Sequence, residues 1–390
     1  MAAPRPIIVL ISTALLGGLV AVLCVTPRQD VARAPAPGAS ATAAAVPEPA
    51  RTNKKSGRLK MVDSHVHLSP GGEARLFALM KQYGFDHVIN LSGGHPLGVL
   101  PKQIAAAHAS GNRITVFTGF PYEQAEAPGY GPRMARILRM GHDLGAKGLK
   151  ITKGLGLGLP GPTGKLVPVD DPELDVVFET AGELGMPIAI HTGDPKAFWL
   201  PIDAKNERFA ELNAHPGWAL YGKKVPSFDE IQAQLERRVA RHPKTRFIAV
   251  HFGNDAEDIE RVARLLRKYP NLYIDTAARI PEMGRHKAED LRAFFFEFQD
   301  RILYGSDLGV GPEPEPLFLG SSGSEPPTPA EETLFFSATH RFFETNDRGF
   351  AHPTPIQGSW KIDGIGLPDD VLEKVYSRNA MRLVGIDALN

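Results

Sequence analysis

Five residues able to bind cations or move protons stand at the ends of short apolar runs. The runs are MVDSHVH with His65 and His67, PIAIHTGD with His191, RFIAVHFGN with His251, and ILYGSDLG with Asp307. Imidazole and carboxylate are ligands that first-row divalent cations such as Zn²⁺ favour. His65 and His67 are two positions apart, and residues i and i+2 of a strand face the same side, so both rings can reach one ion. The chemistry this set suggests is metal-assisted. A cation that stabilises hydroxide makes a water nucleophilic near neutral pH, Asp307 can take and return its proton, and His251 can orient it. Asp63, two residues before His65, is placed to support a ligand from the same strand.

Ligands of this kind need strand ends that converge. Apolar strand candidates fall at 60–64, 87–91, 114–119, 147–152, 187–191, 246–251, 271–275 and 302–306, which makes eight. Between them run segments with apolar residues three or four apart, such as EARLFALMKQYG and AEDIERVARLLRKYP, several ending at Gly before the next strand. Alternation of this type builds parallel βα units. An open doubly wound sheet also alternates, but ligands on strands one, five, six and eight meet at one point only in a closed barrel. The expected fold is α/β, a (β/α)₈ TIM barrel over residues 58–390 with long loops after strands five and eight. The first of these carries Phe198, Trp199, His215 and Trp218; the second runs from Leu308 to about Leu367. Both leave at the C-terminal mouth and are expected to shape a pocket there.

The chain has 390 residues, with 44 Lys and Arg against 44 Asp and Glu, and the basic residues are scattered. That balance argues against a nucleic-acid partner. Residues 7–25 are uncharged and nearly all apolar, so residues 1–26 read as a signal peptide or N-terminal membrane anchor. The lone cysteine, Cys24, lies in that run, which excludes disulfides within one chain. Residues 27–57 are rich in Ala and Pro and read as a flexible linker. An exported or membrane-anchored protein, in the periplasm or at the cell surface, is expected. Membrane contact is expected only through this leader; the oligomeric state is open, a homodimer included.

The set H-x-H, HTG, VHFG and GSD, in that order, resembles the amidohydrolase superfamily. Within it, residues 60–388, including NLYIDTA and KVYSRNAMRLVGI, are similar to the amidohydrolase-related (amidohydrolase 2) branch that contains aminocarboxymuconate semialdehyde decarboxylase. The resemblance implies that His65, His67, His191 and Asp307 ligate one divalent ion, usually zinc, and that His251 and Asp307 are catalytic. It also implies that a second ion would need a modified lysine on strand four, where Lys150 and Lys153 are found; one ion is preferred. Related hydroxybenzoate decarboxylases often carry Glu in place of the first histidine, and this chain has His65. The expected function is hydrolysis of an amide, ester or lactone of a small molecule. Non-oxidative decarboxylation of a small carboxylic acid is the alternative, and a non-catalytic ligand-binding barrel of the envelope is the second.

Other residues carry blander expectations. Asp275 reads equally as a mouth residue or a strand terminus. Arg279 could clamp a substrate carboxylate but, as a loop arginine, is expected to be exposed. His87, His95, His108, His142, His242, His286, His340 and His352 read mostly as surface or capping residues. The Gly-rich run after Lys153 reads as a loop at the mouth.

Overall fold

Short β-branched and apolar runs form the parallel strands. A computed structural model describes residues 58–320 and 327–389. The leader and linker read at 1–57 lie outside the described residues. Strands β1 (Val62–Leu68), β2 (His87–Asn90), β3 (Ile114–Thr118), β4 (Gly148–Ile151), β5 (Ile188–Ile190), β6 (Phe247–Ala249), β7 (Leu272–Asp275) and β8 (Ile302–Leu303) pair in sequence order, each parallel to the next. All eight expected strands are present. β1 runs further than its expected end, so His65 and His67 lie within the strand rather than past it.

Strand eight is split. Ile302 and Leu303 pair with β7, and after a four-residue break β9 (Leu308–Val310) pairs with β1 in the register Val66↔Leu308. Ser64 N donates to Tyr304 O at 3.0 Å and Asp307 N donates to His65 O at 2.9 Å, so the break itself stays bonded to β1. The sheet therefore closes, with one segment, Ile302–Val310, bonded to both of its neighbours. The expected loop start at Leu308 is thus part of the barrel wall.

The interior is filled from alternating strand positions. Val62, Ile89, Phe117, Ala189, Ile248 and Leu303 form one buried cluster with Ala380, Leu383 and Val384 of the C-terminal helix Asn379–Val384. Packing of this kind makes the barrel a core rather than a pore. In the same tier Lys150 pairs with Ala189 across β4 and β5. The outward strand residues and the apolar faces of the helices make the larger cluster. Helix starts are fixed by side-chain caps: Ser227 on Glu230 N, Asp258 on Arg261 N, and a Thr328–Glu331 capping box.

The loop after β5 holds short helical pieces, including Phe209–Ala214, over its own small core of Phe198, Leu212, Ala219 and Leu220. Trp199 packs against that core and donates Nε1–H to Pro226 O, whereas Trp218 is exposed and stacks on His215 at 4.1 Å. The loop after strand eight contains the helix Pro329–Glu344 and a small hairpin, Phe350–Ala351 with Lys361–Ile362. No helix among the described residues is long and apolar enough to cross a membrane.

Candidate metal centre

His65 and His67 lie within β1, whereas His191, His251 and Asp307 follow the C-terminal ends of β5, β6 and β8. His65 is fully buried, and its Nδ1 lies 2.8 Å from Asp275 Oδ2 at the end of β7. A carboxylate accepts, so the neutral ring carries its proton on Nδ1 and presents a lone pair at Nε2. That lone pair faces Asp307 Oδ1 at 3.2 Å and Lys150 Nζ at 3.4 Å. His67 Nε2 lies 3.1 Å from the same Asp307 oxygen, with Ser92 Oγ at 2.7 Å from its Nδ1.

His251 is also buried, and its Nδ1 donates to Ala277 O at 3.0 Å, which leaves Nε2 as the lone-pair nitrogen. Its backbone N–H donates to Asp275 Oδ1 at 2.7 Å. The His191 ring stands 4.4 Å from that of His251, and His191 Nε2 is buried without a hydrogen-bond partner. The tightest grouping of donor atoms joins His65, His251 and Asp307, all within 4.8 Å of one another. The spacing therefore does not set His251 apart from the residues expected to be ligands.

This set fits a divalent cation on the chemistry of its donors. Burial, first, holds His65, His191 and His251 well below the usual imidazole range, so they are neutral. Burial would raise Asp307; with His65 and His251 neutral, the hydrogen bond from His67 is the contact that favours its ionised form. A neutral lone pair at His65 Nε2 facing an ionised oxygen, beside the orphaned His191 Nε2, is an arrangement that a cation between them would stabilise.

Backbone strain collects at the same place. His251, Ala278 and Asp307 adopt left-handed φ of 57°, 54° and 69°. Such conformations cost on the order of 1–3 kcal/mol each in residues other than Gly and gather at functional sites. The glycine of the GSD motif has a separate reason. A Cβ on Gly305 would lie 2.9 Å from His65 Cβ, so only Gly lets strand eight approach the first histidine.

Several expectations are refined. Asp63 supports His65 through the backbone, accepting from His65 N and from Ser306 N and Oγ, while Asp275 holds the ring. Burial pushes Asp63 up to about 7 against those hydrogen bonds. Of the two strand-four lysines, Lys150 is in the cluster, and burial lowers it to about 8 against the pull of Asp275 and Asp307. Lys153 pairs with both oxygens of Asp194 at 2.9 Å, and Asp194 Oδ1 lies 3.9 Å from His191 Nε2. Arg279 is buried, not exposed, because the loops after β6 and β7 close over it. His87, His242 and His352 are buried too: His87 bonds Thr115 Oγ1, His242 bonds Arg238 O, and His352 bonds Gly358 O through Nε2 and accepts from Thr354 N at Nδ1. Asp275 was open to notice in the sequence, since YID ends a strand as the other site runs do.

Comparison with known proteins accords with this architecture. No curated protein matches the sequence. Among solved structures, one from Staphylococcus aureus named as an amidohydrolase is 17% identical, with a TM-score of 0.51, over 84% of this chain and 100% of that one. A 2,6-dihydroxybenzoate decarboxylase from Rhizobium is 16% identical with a TM-score of 0.49, covering 85% and 100%. A chain from Acinetobacter baumannii named as a 2-pyrone-4,6-dicarboxylic acid hydrolase is 10% identical with a TM-score of 0.46, covering 84% and 100%. The family profile described as amidohydrolase matches residues 62–386, nearly the whole barrel, and the chain belongs to that family.

Proposed function

We propose that this protein is a metal-dependent hydrolase that cleaves an amide, ester or lactone of a small molecule at the mouth of its barrel. The observation carrying the reading is the buried convergence of His65, His251 and Asp307, with His67 and His191 against them. His65, His67, His191 and Asp307 would hold one divalent ion, zinc by preference. When bound, such an ion polarises a carbonyl and lowers the pKa of water.

The remaining steps belong to the chain. Asp307 is a carboxylate whose side chain is 10% exposed beside His65 and His67, so it can accept a proton from the attacking water and return it to the leaving group. His251 has its Nδ1–H fixed by Ala277 O, which leaves its Nε2 to orient that water by accepting its other proton. Asp275 locks His65 and the backbone of His251 together, so the two rings keep one geometry through turnover. We place the protein outside the cytoplasm on the strength of residues 7–25.

Assay of the full chain against a panel of amides, esters, lactones and aromatic carboxylates tests this. Acid release that disappears in His191→Ala and Asp307→Ala supports the reading. Carbon dioxide release would establish the decarboxylase alternative on the same residues. Full turnover in either variant would sink the site assignment. A folded, metal-loaded chain that turns over nothing would favour a binding protein.

A further inference from the structure

Exposed apolar side chains are unevenly spread over this protein. Among the described residues nine large ones are exposed, and four of them, Leu200, Phe209, Trp218 and Tyr221, belong to the loop after β5. Single exposed apolar residues are ordinary, whereas a concentration of them marks a surface that something covers. Three of the four are brought together by the backbone. Leu220 N and Tyr221 N both donate to Phe198 O, two residues from Leu200, and Trp218 sits in the turn that Ala219 N closes on Pro216 O. The loop does not need these side chains for its own packing, since Phe198, Leu212, Ala219 and Leu220 fill its core.

Charge indicates what kind of surface this is. Lys205, Lys223 and Lys224 are exposed in the same stretch, and Asp203 is the one exposed carboxylate of residues 200–227. The lysines that form ion pairs among the described residues are Lys60, Lys153, Lys268 and Lys374, and none of these three is among them. Lys223 Nζ donates to Gly217 O at 2.6 Å, which sets an ammonium group beside Trp218. Tryptophan and tyrosine interleaved with lysine suit a membrane–water boundary: the amphipathic rings settle at headgroup level, and the ammonium groups meet anionic lipid. A second copy of the chain fits less well, because a two-fold contact through this patch would set lysines against lysines.

We propose that the loop after β5 docks on an anionic lipid bilayer, as a membrane contact additional to the leader. Trp218 and Tyr221 enter the headgroup region, and Lys205, Lys223 and Lys224 meet its negative charge. The proposal goes beyond the hydrolase reading and does not rest on it. The chain ahead of the barrel supports this occupant. The apolar run at residues 7–25 is long enough to enter a bilayer, and the 32 residues between it and Arg58 span at most about 110 Å. A bilayer that held the run would thus present lipid to the loop at a high local concentration.

Tryptophan fluorescence of the full chain in vesicles tests this. The chain has three tryptophans, Trp199, Trp218 and Trp360, so insertion of the leader itself is silent. Trp199 and Trp360 are half-buried, with their indole N–H groups bonded to Pro226 O and Pro281 O, and serve as internal references. In mixed phosphatidylglycerol and phosphatidylcholine vesicles with acyl chains brominated near the headgroup, Trp218 should be quenched. Trp218→Phe should abolish that quenching. Lys223→Gln combined with Lys224→Gln should lower the docking equilibrium, read from the quenched fraction, about 30-fold at low salt. Absence of quenching in the wild type, equal quenching in Trp218→Phe, or equal quenching in phosphatidylcholine alone would overturn the proposal. So would a Trp218 emission shift that follows protein concentration without lipid and coincides with dimerisation in sedimentation, which would assign the patch to a second copy.

Discussion

Asp275 ties His65 of β1 to the turn after β6: one oxygen takes Nδ1–H of His65 at 2.8 Å and the other takes the backbone N–H of His251 at 2.7 Å. The first contact fixes a tautomer, and the second fixes the turn from which the His251 ring projects. Both histidines present Nε2 to the centre, His65 through Asp275 directly and His251 through Ala277 O on a backbone that Asp275 holds.

Replacing Asp275 with Asn should separate that role from mere packing. The amide is nearly isosteric, but it can turn its NH₂ toward His65 and stabilise the wrong tautomer. Metal affinity should fall about 10- to 100-fold, the usual cost of losing such a partner. Competition with a chelator measures it, and an unchanged melting temperature would show that the barrel survives. Equal affinity in variant and wild type would mean that Asp275 does not orient the ring.

The barrel was legible because strand-ending polar residues interrupt apolar runs, and that pattern is local. The five candidate residues were legible for the same reason. What escaped notice depends on partners far apart in the chain: His65 and Asp275 are 210 positions apart, and the Asp63 bonds to Ser306 span 243. Burial of Arg279 also has no local sign, since it needs the β6 loop to supply Asn254. The split in strand eight was hidden because the left-handed Asp307 sits in an otherwise strand-like run. Hydrogen-bonded histidines such as His87 look like surface residues in sequence, because nothing nearby announces Thr115.

Lys150 decides the number of ions. Its Nζ lies 3.4 Å from His65 Nε2, and the expected stoichiometry is about one divalent ion per chain, with Lys150 an amine beside it. Elemental analysis of the full chain should give about one equivalent in both the wild type and Lys150→Met. About two equivalents, falling to one in the variant, would show instead that a modified Lys150 bridges a second ion.

Gly305→Ala should damage the site without touching a ligand. Its new Cβ would stand 2.9 Å from His65 Cβ and 3.3 Å from Ala277 Cβ, and both neighbours are held by backbone. Overpacking of this kind costs about 1–3 kcal/mol. The strain would be relieved by moving His65, so metal affinity should fall together with stability. Thermal unfolding with and without chelator checks this; a loss of stability with unaltered metal binding would mean that the strain is relieved elsewhere.

His87 should make stability depend on pH at the opposite end of the barrel. Its imidazole is buried at the start of β2 against Thr115 Oγ1, and burial lowers its pKa to about 4. The unfolded chain, with the ordinary value near 6.5, takes up the proton first as the pH falls. Between those values the unfolded state therefore binds more protons than the folded one, and stability rises with pH. The contribution is intact above about pH 6.5 and is lost progressively toward pH 4, by on the order of 3 kcal/mol at most. His87→Gln removes the titration and keeps a group able to bond the hydroxyl. In the presence of chelator, unfolding free energies of wild type and variant should converge as the pH falls from about 7.5 to about 4.5. A constant difference across that range would show that His87 does not titrate on unfolding, and the burial argument would fail at this position.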